Sequence, residues 1–122
     1  MSDSATIRFW THNEDPHPIG LYLHWDGGRY AKVLADALRV AKPRWDDEDY
    51  ANRMAVQAIL VSVGISADTL GAGLFAGTAS RDEDHPTLNV NWKTQIVWSD
   101  DWQMSFTQFL RNDGNVWEMM QA

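Results

Sequence analysis

Apolar and polar residues alternate near both ends of the chain and follow a helical period in its middle. Ile7-Arg8-Phe9 alternates as a half-buried strand does. A loop with Pro16 and Pro18 breaks it, since proline cannot serve a sheet interior. Ile19, Leu21, Leu23 and Trp25 then share one face, with Gly20, Tyr22, His24 and Asp26 on the other, so a second strand is expected to pair with the first as a hairpin. Asp26-Gly27-Gly28 supplies turn chemistry. Tyr30, Val33, Leu34, Ala37, Leu38 and Ala41 recur at i, i+3, i+4, i+7, i+8 and i+11, which predicts an amphipathic helix stopped by Pro43.

A second helix is expected from Asp46-Asp47-Glu48-Asp49, where acids complement the positive end of the helix dipole, to a cap at Gly64. Tyr50, Met54, Ala58 and Val61 form an apolar row that Ala51, Ala55, Ile59, Val56 and Leu60 widen, so this helix reads as the more buried of the two. The glycine-rich stretch Gly71–Gly77 holds a short strand near Leu74–Thr78, and Arg81–Pro86 reads as a charged turn. Leu88, Val90, Trp92, Thr94, Ile96 and Trp98 occupy every second position, predicting one long strand. Ser99-Asp100-Asp101 is a tight loop, after which Trp102, Met104, Phe106 and Leu110 alternate in a second strand, bringing Trp98 and Trp102 together across a hairpin. Asn112-Asp113-Gly114 is a further turn, and Val116–Met120 a last strand. The pattern predicts a single α+β domain over 1–122: an antiparallel β-sheet with two α-helices packed on one face, in the order β-β-α-α-β-β-β-β.

Composition narrows the chemistry. The chain has 122 residues and no cysteine, which removes disulfides, thiolate nucleophiles and Cys-based metal sites and fits a reducing compartment. The start, Met1–Thr6, is polar, and no apolar stretch is long enough to span a bilayer, so a cytoplasmic protein without membrane dealings is expected. A net charge of −7 repels a phosphate backbone and favours a partner with a basic surface over direct nucleic-acid binding. Seven tryptophans serve either the core or a binding hot spot.

Few residues suggest catalysis. His24 and Asp26, two apart on one strand face, could begin a general-base arrangement, but no G-x-S-x-G serine accompanies them, and Asp26 is equally placed to cap the next helix. Gly71-Ala72-Gly73 does not continue as a G-x-G-x-x-G loop, since Ala76 stands at its last position. His12, Glu14, Asp15 and His17 share one loop, and His85 sits with Asp82, Glu83 and Asp84 in another; neither has an ordered metal-ligand spacing, and both read as solvated loops. No metal, cofactor or catalytic residue is expected.

The segment Tyr22-Leu23-His24-Trp25-Asp26-Gly27 resembles small proteins of bacteriophage and prophage genomes that carry a Y-x-H-W-D-G motif where an early strand gives way to a helix. The likeness covers roughly residues 19–40, and Tyr50–Ala55 is similar in style; a proline-bearing turn common in that group is replaced here by Gly28-Arg29. The resemblance implies a viral or mobile-element origin and accessory dealings with a bacterial host, in whose cytoplasm the protein would act; it brings no catalytic residues.

The leading expectation is a non-enzymatic accessory protein that binds and inhibits a host protein, one of defence or nucleic-acid handling, through acidic groups. These are Asp46, Asp47, Glu48 and Asp49; Asp82, Glu83 and Asp84; and Asp100 and Asp101, which together could imitate a phosphate backbone. An alternative is a protein that sequesters a small ligand such as a nucleotide, on a face holding Tyr22, His24, Asp26 and Arg53, with Asn89 and Asn91. A third is a virion or assembly component whose exposed sheet edges pair into a homodimer.

Overall fold

The computed structural model describes residues 3–10, 18–25, 27–78 and 83–115. Six strands and three helices follow in the order β1 (Ala5–Trp10), β2 (Ile19–Leu23), α1 (Tyr30–Ala41), α2 (Glu48–Ser62), β3 (Ala72–Ala76), β4 (Leu88–Asn91), β5 (Ile96–Trp98), β6 (Gln103–Ser105) and α3 (Phe106–Arg111). The strands form one sheet in the order β3-β2-β1-β4-β5-β6. β1 and β2 pair as the expected antiparallel hairpin, Ile7 opposite Leu21.

The fold is α+β, but the sheet is mixed, not antiparallel. β4 lies parallel to β1, with Ile7 opposite Leu88 and Phe9 opposite Val90. The chain leaves β2, runs through both long helices and β3, and re-enters the sheet on the far side of β1. A connection of that length can return a strand in either direction, and alternation within the strand does not record which.

The expected long strand over 88–98 is two strands. Asn91 Oδ1 accepts from the Lys93 and Thr94 amides at 2.9 and 3.1 Å, and Gln95 takes a positive φ of 55°, so the chain reverses over 92–95. Val90 pairs with Val97, which moves the dry positions from even to odd numbers across the turn. Ile96 and Trp98 therefore point away from the core that Leu88 and Val90 face. Trp92, at the bend, is 2% exposed and stacks on Phe9 with centroids 5.9 Å apart.

The hairpin about Asp100 forms as expected: β5 and β6 are antiparallel, and the Ser99 amide donates to the Trp102 carbonyl at 3.0 Å. The two indoles have separate partners, however, Trp98 against Trp10 and Trp102 against Phe109. β6 also ends early. Ser105 Oγ accepts from the Gln108 amide at 3.1 Å and caps a third helix, whose Phe106 and Phe109 are buried. The strand expected over 116–120 lies outside the described residues.

One face of the sheet, with Ile7, Phe9, Leu21, Leu23, Leu88, Val90 and Val97, shares a single apolar core with the helices. α1 contributes Val33, Leu34, Ala35, Ala37, Leu38 and Ala41 and packs against both α2 and α3. α2 fully buries only Ala51, Ala55 and Ile59, so α1, not α2, is the more buried helix; of the row Tyr50, Met54, Ala58 and Val61, the ends Tyr50 and Val61 are exposed while Met54 and Ala58 pack at the edge of the core. Gly64 caps α2 as expected, at φ 77°, with the Ile65 amide donating to the Leu60 carbonyl at 2.8 Å. Among the described residues no helix is long and apolar enough to cross a membrane.

Candidate functional site

Strand direction decides where the acidic groups stand. β1 begins at Ala5, β4 runs parallel to it from Leu88, and β5 returns to finish at Trp98. The segments flanking these points meet at one end of the sheet. There Asp3 Oδ2 accepts from the Gly28 amide at 2.9 Å, and the Tyr30 hydroxyl donates to the Pro86 carbonyl at 2.8 Å, which brings the start of α1 to the loop before β4. Glu83, Asp84, Asp100 and Asp101 all lie at this end.

Asp46, Asp47, Glu48 and Asp49 lie at the opposite end, beside the 92–95 turn. They line an open cleft of about 510 Å³ with Trp45, Trp92 and Lys93. The acids therefore form two groups separated by the length of the strands. Asp82 and Asp26 lie outside the described residues.

At the first end the carboxylates divide by use. Asp84 Oδ2 accepts from the Ser4 amide at 2.9 Å and its hydroxyl at 3.2 Å, and these bonds hold the carboxyl below its ordinary range. Glu83 accepts from the Thr6 hydroxyl, which is buried. Asp3 is held low by the Gly28 amide first and by His85 second, with His85 Nε2 at 2.5 Å from Oδ1. These three fasten the fold. Asp100 and Asp101 are exposed and have no hydrogen bond or ion pair among the described residues.

A cleft of about 520 Å³ opens between them and α1. Its walls include Tyr30, His85, Asp100, Asp101 and Trp102. Burial, with the charges of Asp100 and then Glu83, pushes the Tyr30 phenol up to about 12, so it stays neutral at physiological pH. Lys32, on the same wall, is taken by Asp36 at 2.9 Å and Asp113 at 3.0 Å. Arg39 bridges the same two carboxylates at 2.8 and 2.7 Å. Among the described residues the cations Lys32 and Arg39 are thus already matched, and Asp100 and Asp101 add negative charge to the cleft.

The residues expected to share a ligand face are not all brought together. The Tyr22 hydroxyl and His24 Nδ1 are 3.0 Å apart, and His24 meets Trp25 edge-on. Arg53 is on α2, bonded to Gln57 at 2.8 Å, and lines a separate groove with Val40 and Met54. Asn89 accepts from the Trp10 indole at 3.0 Å, and Asn91 is occupied in the 92–95 turn. Among the described residues no group of three or more His, Asp or Glu side chains is placed to hold a metal. The parts of the cleft that sequence missed are Tyr30 and Trp102, whose apolar spacing marked them only as core, and the pairing of Asp3 with His85.

Compared with known proteins, the chain matches no protein-family model, no curated protein and no solved structure.

Proposed function

We propose that this chain is a non-enzymatic binding protein, and that its cleft beside Tyr30, Asp100, Asp101 and Trp102 receives a cationic side chain from a basic protein surface. The observation that carries this reading is the pair of carboxylates that have no hydrogen-bond partner among the described residues, beside two aromatic rings, in a cleft where Lys32 is already paired with Asp36 and Asp113. Carboxylates attract an ammonium or guanidinium at long range, and aromatic faces hold it at short range. A nucleotide would bring phosphate against Asp100 and Asp101 and so does not suit this cleft, while of the face expected to hold one, Tyr22 and His24 lie on β2 and the segment after it and Arg53 lies in a separate groove on α2. The likeness of Tyr22–Gly27 to phage proteins makes a bacterial host protein the natural partner, and occupation of its basic surface would inhibit it.

The direct test uses a short capped peptide of lysine and arginine as the probe and follows backbone amide shifts by NMR. The reading expects shifts centred on Tyr30 and Asp100–Trp102 that fade with salt and vanish in the Asp100→Asn, Asp101→Asn double variant. Shifts centred on Asp46–Asp49, or unchanged by that double variant, would overturn it.

A further inference from the structure

β3 is an edge strand of the described sheet, and its own sequence lacks the charges and prolines that usually keep edges apart. From Thr69 to Thr78 no residue is charged and none is proline. The opposite edge, β6, is three residues long and passes straight into α3. On β3, Leu74 is 61% exposed. Around it, Leu70 is 84% exposed, Trp25 packs 2.7 Å from where a Cβ on Gly71 would lie, and Ile19 stands opposite Ala76. These four are among the large apolar side chains that the described surface leaves exposed, and each lies on β3 or next to it in sequence or pairing.

The direction of the backbone groups on β3 is fixed by its ends. The Gly77 amide donates to the Pro18 carbonyl, and the Gly71 carbonyl accepts from the His24 amide, each at 2.9 Å. Hydrogen-bonding direction alternates along a strand, so Gly73 and Phe75 also turn toward β2, while Ala72, Leu74 and Ala76 turn their N–H and C=O groups outward.

We propose that β3 pairs with β3 of a second copy of this chain, antiparallel and about a two-fold axis at Leu74. In that register the outward groups match without remainder: Leu74 exchanges two hydrogen bonds with its own copy, and Ala72 with the copy's Ala76. On the helical face, the Leu21–Leu74 row continues into the same row of the partner. On the other face, Phe75 falls opposite the copy's Gly73, a non-hydrogen-bonded pair in which side chains approach most closely. Among the described residues an added Cβ on Gly73 would meet nothing within 4 Å, so nothing there obstructs the approach of the copy's strand. The Phe75 ring itself lies inward over Gly20 of its own chain, where a Cβ on Gly20 would collide with it. The outward backbone groups and the apolar Leu74 row thus make the strand complementary to itself. A charged partner strand would find nothing on β3 to select it.

The test is sedimentation of the full chain over a range of concentrations, with Leu74→Lys and Leu74→Glu variants alone and mixed. Wild type should sediment at twice 13.9 kDa and each variant at 13.9 kDa, with circular dichroism unchanged. Because Leu74 faces its own copy, an equimolar mixture of the two variants should recover the dimer. A wild type that stays monomeric up to its solubility limit would overturn the proposal. So would a dimer that survives either charge with the fold intact, or a mixture that stays monomeric. Should the variants unfold, amide exchange of the wild type decides: protection at Leu74 and Ala76 should rise with concentration, and no rise would overturn the pairing.

Discussion

Asp3 Oδ1 and His85 Nε2 lie 2.5 Å apart, although the chain between them holds two strands, two helices and β3. Through Asp3 Oδ2 and the Gly28 amide the same carboxylate also holds the start of α1, so one side chain ties the N-terminus, a helix and a loop.

Acid should loosen that tie. Asp3, Asp84 and Asp113 are each held below the ordinary carboxylate value of 3.8, so each contributes stability that is complete above that value and is lost as the pH falls through the lowered one. Urea midpoints should therefore be level down to about pH 4 and fall below it. Asp3→Asn should lower the midpoint at neutral pH and shallow the acid limb. An acid limb identical to wild type would show that Asp3 carries none of the dependence.

Alkali reports on the cleft. Tyr30 titrates near 12 against an ordinary 10.0, so folding gains from the neutral phenol below pH 10 and loses that gain as the pH rises through the folded value. Phenolate absorbance should show a late-titrating component that Tyr30→Phe removes. In Asp100→Asn it should titrate earlier, since one of the charges opposing ionisation is gone.

Two glycines in left-handed backbone should differ in cost when changed to alanine. Gly64, at φ 77°, has open space where a Cβ would go, and its substitution should cost about 1 kcal/mol. Gly114, at φ 74°, would drive a Cβ into the Ala31 carbonyl, adding a backbone clash to the same strain, for a cost on the order of 3 kcal/mol. Chemical denaturation orders the two, and equal midpoints would contradict the packing of the α3 exit against α1.

The tryptophans on either side of the 92–95 turn should separate likewise. Trp92 is buried between Phe9 and Phe106 and donates to Asn52 at 2.6 Å; Trp92→Ala should cost about 3–5 kcal/mol. Trp98, half-buried on the other sheet face, should cost about 1 kcal/mol. Equal costs would restore the unbroken strand that the alternation suggested, in which both indoles share one dry face.

That turn shows what the sequence could and could not tell. Alternation at Leu88, Val90, Ile96 and Trp98 was real, but a four-residue reversal leaves it unbroken while exchanging the faces, so Trp98 looked like core. α1, α2 and the two hairpins were legible because each carries its own amphipathic period or turn. The parallel entry of β4 was not, because it depends on how distant segments meet. α3 was hidden because Phe106 and Leu110 fit a strand as well as a helix, and only the Ser105 cap separates them. The acidic groups were visible as clusters, yet β4's direction is what sends Asp100 and Asp101 to one end and Asp46–Asp49 to the other. Which carboxylates are occupied was invisible, since Asp84 meets Ser4 and Asp3 meets His85 only in the folded chain.

The central claim is that the Asp100–Asp101 end does the binding. The measurement that tests it most directly is retention from a nuclease-treated bacterial lysate, eluted with a salt gradient, on wild type and two charge-reversed chains. One carries Asp100→Lys and Asp101→Lys; the other carries Asp46→Lys, Asp47→Lys and Asp49→Lys. The account predicts a stoichiometric protein that leaves wild type at moderate salt, is lost from the first variant and is kept by the second. Retention by the first variant equal to wild type, or loss confined to the second, would contradict it.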